Sequence, residues 1–230
     1  MPSTLIPSVE QRVSALLEVT RRLQSEPSFA SKPKGKSTIT VSREFGCEAF
    51  PMAEHLKLLL EKQTGEIWAV MDKALLEEVA KNNALSENLL RDLGSKPRFL
   101  DEIIATFTPR WKSDQDYYQL LCRHIVLLAK CGNVIIVGRG AAIVTQSLGN
   151  CHHFRMVAPL DYRVRSIAKR LAIPPQEAQD LVQKGQQQRD KFMKNFLNID
   201  SSDPTHYHLV LNNGKISPEK IANTIYHFIS

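Results

Sequence analysis

Apolar and polar positions along this chain fall into two rhythms, short β-branched runs and longer segments with helical spacing. Thr38–Ser42 predicts a strand, Gly46 a tight turn, and the residues from about Glu48 an amphipathic helix. Ile67–Val70 predicts a second strand ending at Met71-Asp72, followed by a helix over Ala74–Lys81 and a short helix capped by Ser86. Residues Gly94–Arg110 show no clear period. A long helix opens at Asp114 or Asp116, turns Leu120, Leu121, Ile125, Leu128 and Ala129 inward, and ends at Cys131-Gly132-Asn133. Val134–Val137 is the strongest strand, a β-branched run stopped by Gly138-Arg139-Gly140, as suits a parallel strand covered on both faces. His153–Val157 predicts a fourth strand and leads into a basic helix ending at Arg170. Pro174 and Pro175 start a helix expected to end near Lys184, because Gly185 sits where a helix would stop. Tyr207–Leu211 predicts the fifth strand, and Ser217-Pro218-Glu219 caps the last helix.

Five strands alternating with helices predict a three-layer α/β/α fold on a five-stranded parallel sheet with right-handed crossovers. Ligands of such a sheet lie beyond the carboxyl ends of its strands. Residues 1–37 read as an appendage. Ser8 and Gln11 form a capping-box pattern, Val9, Val13, Leu16, Leu17 and Leu23 follow at helical spacing, and a linker runs over Ser25–Ser37. An apolar stripe of this kind packs on the main domain, residues 38–230, or on a second copy, so a homo-oligomer through this helix is one expectation.

Composition narrows the function classes. A chain of 230 residues with 43% hydrophobic and 23% charged residues has the balance of an ordinary globular protein. Cys47, Cys122, Cys131 and Cys151 show neither C-x-x-C pairing nor zinc spacing, which predicts reduced thiols and a cytoplasmic location. No apolar run approaches the roughly 20 residues that span a bilayer, so no membrane partner is expected. The net charge of +6 points to anionic ligands, but aromatic and basic residues are not interleaved, so nucleic acid is not expected.

The residues after each strand carry the candidate chemistry. Ser42-Arg43-Glu44-Phe45-Gly46 follows the first, Asp72-Lys73 the second and Gly138-Arg139-Gly140 the third. A helix with Arg163, Arg165, Lys169 and Arg170 follows the fourth, and a later polar segment carries Arg189, Lys191 and Lys194. Guanidinium groups converging on one sheet edge suit phosphate, whose oxygens match their fork. A second candidate is rejected: Gly35-Lys36-Ser37-Thr38 spells the tail of a phosphate-loop motif but precedes a strand, where no helix N-terminus follows to face an anion.

Six segments in order resemble the cytidylate kinase-like family, a branch of the nucleoside monophosphate kinases. They are ITVSREFG (Ile39–Gly46), VMDKALLEEVA (Val70–Ala80), NVIIVGRGA (Asn133–Ala141), APLDYRVRSIAKR (Ala158–Arg170), the R-x-x-F-x-x-x-F run at Arg189–Phe196, and DPTHYHLVLN (Asp203–Asn212). The resemblance covers roughly residues 38–229. It implies phosphoryl transfer from ATP, with Mg²⁺, to a nucleoside monophosphate such as CMP. It also implies a donor-phosphate loop with Ser42, Arg43, Gly46 and Cys47, and an acceptor site at Asp72 and Arg139. Arg163, Arg165 and Arg170 would border the phosphates, while Arg43, Arg189 and Lys194 would act in transfer, the last two from a lid at about residues 185–200. It identifies no metal ligand here.

One departure bears on activity. Where the wider superfamily reads G-x-x-G-x-G-K-[ST], this chain has Glu48, Ala49 and Phe50, then Pro51. The lysine that reaches the phosphates becomes Ala49, and the Mg²⁺-ligating hydroxyl becomes Phe50. Losing one such contact costs roughly two to three powers of ten in rate. The expectation is therefore weak transfer, or a nucleotide-binding regulatory pseudoenzyme. Plainer readings stand beside these: Arg139 pairs with an acid, Asp72 caps the next helix, Cys47 fills the turn, and His152 and His153 are structural.

Overall fold

The computed structural model describes residues 36–76 and 114–230. In chain order its elements are β1 (Thr38–Arg43), α1 (Ala49–Thr64), β2 (Ala69–Met71), α2 (Asp114–Cys131), β3 (Val134–Val137) and α3 (Ala141–Val144). Then come β4 (Cys151–Val157), α4 (Leu160–Leu171), α5 (Pro175–Leu197), a 3₁₀ turn at Pro204–His206, β5 (Leu209–Asn212) and α6 (Pro218–Ile229). Residues 73–76 are helical, so the expected helix after β2 begins on schedule. The rest of it, the helices expected near Ser8 and Ser86, and the aperiodic stretch Gly94–Arg110 lie outside the described residues.

The strands form one all-parallel sheet in the order β2-β3-β1-β4-β5. Alternation along each strand assigns the two faces. Ile39, Val41, Ile135, Val137 and Phe154 pack with Met52 and Leu56 of α1 and with Ile221 and Ile225 of α6. Met71, Val134 and Ile136 pack on the other side with Leu121, Ile125 and Leu128 of α2. Burying each such aliphatic chain contributes about 1.5–3 kcal/mol, so this sandwich holds the carboxyl ends of β1, β2 and β3 side by side. β1 is central, and the loop leaving it stands between those of β3 and β4.

β2 begins at Ala69, two residues later than expected, and ends at Met71, and the structure moves three further boundaries. β4 begins at Cys151, two residues early, because it must match β1 from its first pair, Thr38 with Cys151. β5 begins at Leu209, because Asp203 caps the 3₁₀ turn by accepting from Thr205 N–H, and this delays strand pairing. The largest correction is α5, which runs unbroken through Gly185 to Leu197 instead of stopping near Lys184. Gly185 is buried, and a Cβ there would collide with the Phe45 ring. Glycine at this position admits an aromatic neighbour; it does not end the helix. The segment expected as a lid is thus a continuation of α5, anchored by Phe192 and Phe196 against Tyr118 of α2 (ring centroids 5.0 and 4.8 Å).

Two smaller readings are settled by position. Lys36 and Ser37 lie at the amino end of β1, where Lys36 Nζ is 3.3 Å from Glu66 and Ser37 C=O accepts from Asn133 N–H. The rejected motif is therefore at the wrong end of the sheet. His153 is structural: its Nδ1 hydrogen-bonds Thr40 Oγ1 at 2.8 Å between adjacent strands. Burial, aided by His208 and His152, lowers its pKa to about 4, which keeps the ring neutral.

Candidate phosphate-binding site

The loop from β1 to α1 has the placement of a phosphate loop, but protein acceptors occupy four of its amides. Glu44 N–H donates to Met156 C=O (3.0 Å) and Cys47 N–H to Glu44 C=O (3.3 Å). Phe45 N–H donates to Gln186 Oε1 at 2.8 Å, and Glu48 N–H to Asn213 Oδ1 at 2.9 Å. Gly46 stands at φ 100°, and a Cβ there would come within 2.7 Å of Arg163 Cβ. Glycine is needed at that point both for its backbone angle and for its lack of a side chain. Ala49 and Phe50 open α1, and Glu48 turns its carboxylate to the Tyr162 hydroxyl (2.8 Å).

Beside this loop, at the ends of β1, β2 and β3, lies a cavity of about 200 Å³. Arg43, Lys73, Arg139 and Arg189 line it, and no carboxylate is among the described residues that do. Arg43 reaches across Gly138, whose lack of a side chain makes room for the guanidinium. Arg139 lies 4.9 Å from the Phe192 ring, and Arg189 lies 4.8 Å from the Phe45 ring and donates to Arg43 C=O at 3.0 Å.

The cations disfavour one another. Burial lowers the Arg43 pKa to about 10, with Asp72 opposing the shift and Arg139 adding to it. Burial, then Arg43, lowers Arg189 to about 9. Lys73 is lowered by burial and by Arg139, Arg189 and Arg43, and Arg139 by burial. At about 10 and about 9, Arg43 and Arg189 remain charged at neutral pH. An anion in the cavity would offset this repulsion, and guanidinium forks match the geometry of phosphate oxygens.

The remaining expected residues separate into distinct groups. Ser42 lines the cavity and accepts from the buried Arg155 at 3.2 Å. Asp72 caps the helix after β2, accepting from Leu75 N–H at 3.0 Å, while its charge favours that of Arg43. Arg163 braces the loop: it donates to the Ala158 and Phe45 carbonyls (2.9 and 3.4 Å) and lies 3.5 Å from Glu44. Arg165 is exposed and faces Asp161 on its own helix, and Arg170 is exposed on the last turn of α4. Lys194 is exposed and is not part of the cavity wall. The Cys47 thiol is buried and pushed up to about 12 by burial and then by Glu44, so it fills the turn and is not a nucleophile.

Several residues were not expected as site residues. Lys73 was visible as part of Asp72-Lys73 after a strand, and that position was its signal. Phe192 was visible as the first aromatic of the R-x-x-F-x-x-x-F run, whereas Gln186 and Asn213 carried no signal, because neutral polar residues in helices and loops are common.

The fit to the groups that the resemblance implies is uneven. Among the described residues no three metal-ligating side chains cluster, and the cavity wall is cationic. This donor set does not suit a protein-held Mg²⁺ ion, which takes oxygen ligands. The donor end lacks the lysine and the hydroxyl at Ala49 and Phe50, and four of its amides are occupied.

Among solved structures, an uncharacterized protein from Eubacterium ventriosum matches over 84% of this chain and 98% of its own, at 19% identity and TM-score 0.63. That similarity speaks to the fold. Shikimate kinase from Bacteroides thetaiotaomicron matches over 84% of this chain and 98% of its own, at 11% identity and TM-score 0.48. A search of curated proteins gave no match. Among the described residues no helix is long and apolar enough to cross a membrane. The profile of the cytidylate kinase-like family matches residues 38–215, most of the chain and all five strands. With its parallel sheet, its loop after β1 and its arginine-lined cavity, this nucleotide kinase-like chain belongs to the cytidylate kinase-like family.

Proposed function

We propose that this protein binds the phosphate of a nucleoside monophosphate, such as CMP, in the cavity at the ends of β1, β2 and β3. Phosphoryl transfer from ATP is then weak or absent. The observation that carries this reading is the convergence of Arg43, Lys73, Arg139 and Arg189 on one space without a lining carboxylate. Arg139 and Lys73 approach the phosphate from the β3 and β2 sides, and Arg43 and Arg189 from the loop side. Arg165, Arg170 and Lys194 take no part at the phosphate in this reading, and Arg163 acts by holding the loop.

A weak kinase remains the second reading. What favours it is Arg43, which begins the donor loop yet sends its guanidinium over Gly138 into the acceptor cavity, bridging the two ends. Calorimetric titration of CMP, other monophosphates and ATP, with and without Mg²⁺, tests both. Monophosphate binding without ADP release in a coupled assay supports the first reading. ADP release that depends on the monophosphate supports the second. No binding of any monophosphate sinks the first.

A further inference from the structure

Resting on the monophosphate reading, we propose that Gln186 and Asn213 restrict the site to a single phosphate group. Their carbonyl oxygens sit on the two loop N–H groups that the oxygens of a further phosphate would need. Gln186 Oε1 lies 2.8 Å from Phe45 N, and Asn213 Oδ1 lies 2.9 Å from Glu48 N. Each side-chain amide is oriented by a second bond. Gln186 Nε2 donates to Asp190 Oδ1 at 2.8 Å, and Asn213 Nδ2 donates to Ile216 C=O at 3.3 Å. The acceptor ends therefore face the loop and the NH₂ groups face away. In effect the loop is already capped by two neutral oxygens in place of phosphate oxygens.

Packing holds this arrangement in place. The Phe45 ring lies on the backbone of Gly185, one residue before Gln186, and Arg189 covers the ring from the same helix. Asn213 is itself 2% exposed. A di- or triphosphate must displace both carbonyls and then finds Ala49 where a lysine would reward it. A monophosphate on the Arg139 and Lys73 side needs neither displacement. A single amide–carbonyl bond is worth about fivefold in an equilibrium constant. Both caps together discriminate more strongly.

The test compares CMP and ATP affinities by calorimetry without Mg²⁺ at one salt concentration. Gln186→Met keeps the length of the side chain and removes its acceptor. Wild type is expected to prefer CMP over ATP, and Gln186→Met to raise the ATP-to-CMP affinity ratio about fivefold. Asp190→Ala, which lets the Gln186 amide turn, moves the ratio the same way by less and serves if Gln186→Met does not fold. An unchanged ratio in the folded variant overturns the proposal, as does a wild type that binds ATP as tightly as CMP. If wild type binds no CMP but Gln186→Met gains ATP affinity, the monophosphate reading fails, and with it the restriction to one phosphate, while Gln186 is upheld as a cap that keeps phosphate off the loop. Binding of neither nucleotide by either protein overturns both.

Discussion

Arg139 follows a strand whose four residues are all buried and stands at φ 54°, a backbone angle unusual for a residue with a side chain. That angle turns its side chain into the cavity, against Phe192. Removing the guanidinium removes charge-assisted hydrogen bonds worth about 1.5–3 kcal/mol to a bound phosphate. Arg139→Ala is therefore expected to weaken CMP binding by at least about tenfold in calorimetry, since roughly 1.4 kcal/mol is a factor of ten. Unaltered affinity would remove Arg139 from the acceptor site. Cys47 gives a second residue-scale prediction. With its thiol pushed up to about 12, it should resist iodoacetamide at pH 8 while the protein is folded. The half-buried Cys122 and Cys131 are expected to be labelled first, as peptide mass spectrometry would report.

At the scale of elements, α5 decides the geometry, because Gln186, Arg189 and Phe192 reach the site from one helix face. Gly185→Ala adds a methyl group under Phe45, and overpacking of this kind costs about 1–3 kcal/mol. Alanine's better helix propensity recovers about 1 kcal/mol at most. A net fall in melting temperature, with weakened phosphate binding, is the expected outcome; a more stable variant would show that Phe45 is free to move. This helix also shows where sequence reading fails. β3 was legible because four consecutive β-branched residues between glycines have few other uses, and Ser217 before Pro218 announced its helix correctly. Gly185 misled because a glycine that stops a helix and one that admits a ring look alike in one dimension. The capping of Phe45 N–H by Gln186 joins residues 141 positions apart, and nothing local in either segment encodes it. The arginines were legible as charges at strand ends, but only their packing separates Arg163, a brace, from Arg189, which lines the cavity.

For the whole molecule, histidines on β4 and α2 set a pH dependence. Burial holds His153 at about 4, and burial also lowers His124 and His152. The unfolded chain binds these protons near the ordinary histidine value of about 6.5, so it gains protons first as pH falls. Stability is accordingly expected to be level above about pH 6.5 and to decline from there towards pH 4, by up to about 3 kcal/mol from His153. Urea midpoints measured from pH 7.5 to 4.5 would show the slope, and His153→Gln should flatten it. A midpoint that stays level over that range would contradict the assignment.

The central place of β1 has a consequence in time. Its partners begin at Val134 and Cys151, about a hundred residues downstream of Thr38. A ribosome adding roughly 5–20 residues per second leaves this apolar strand without either neighbour for about 5–20 s. The chain cannot close its sheet as it emerges. It must wait until β3 and β4 are made, and then form a long-range pairing of the kind that folds in milliseconds to seconds. The strand that leads into this loop is thus made well before either strand it pairs with.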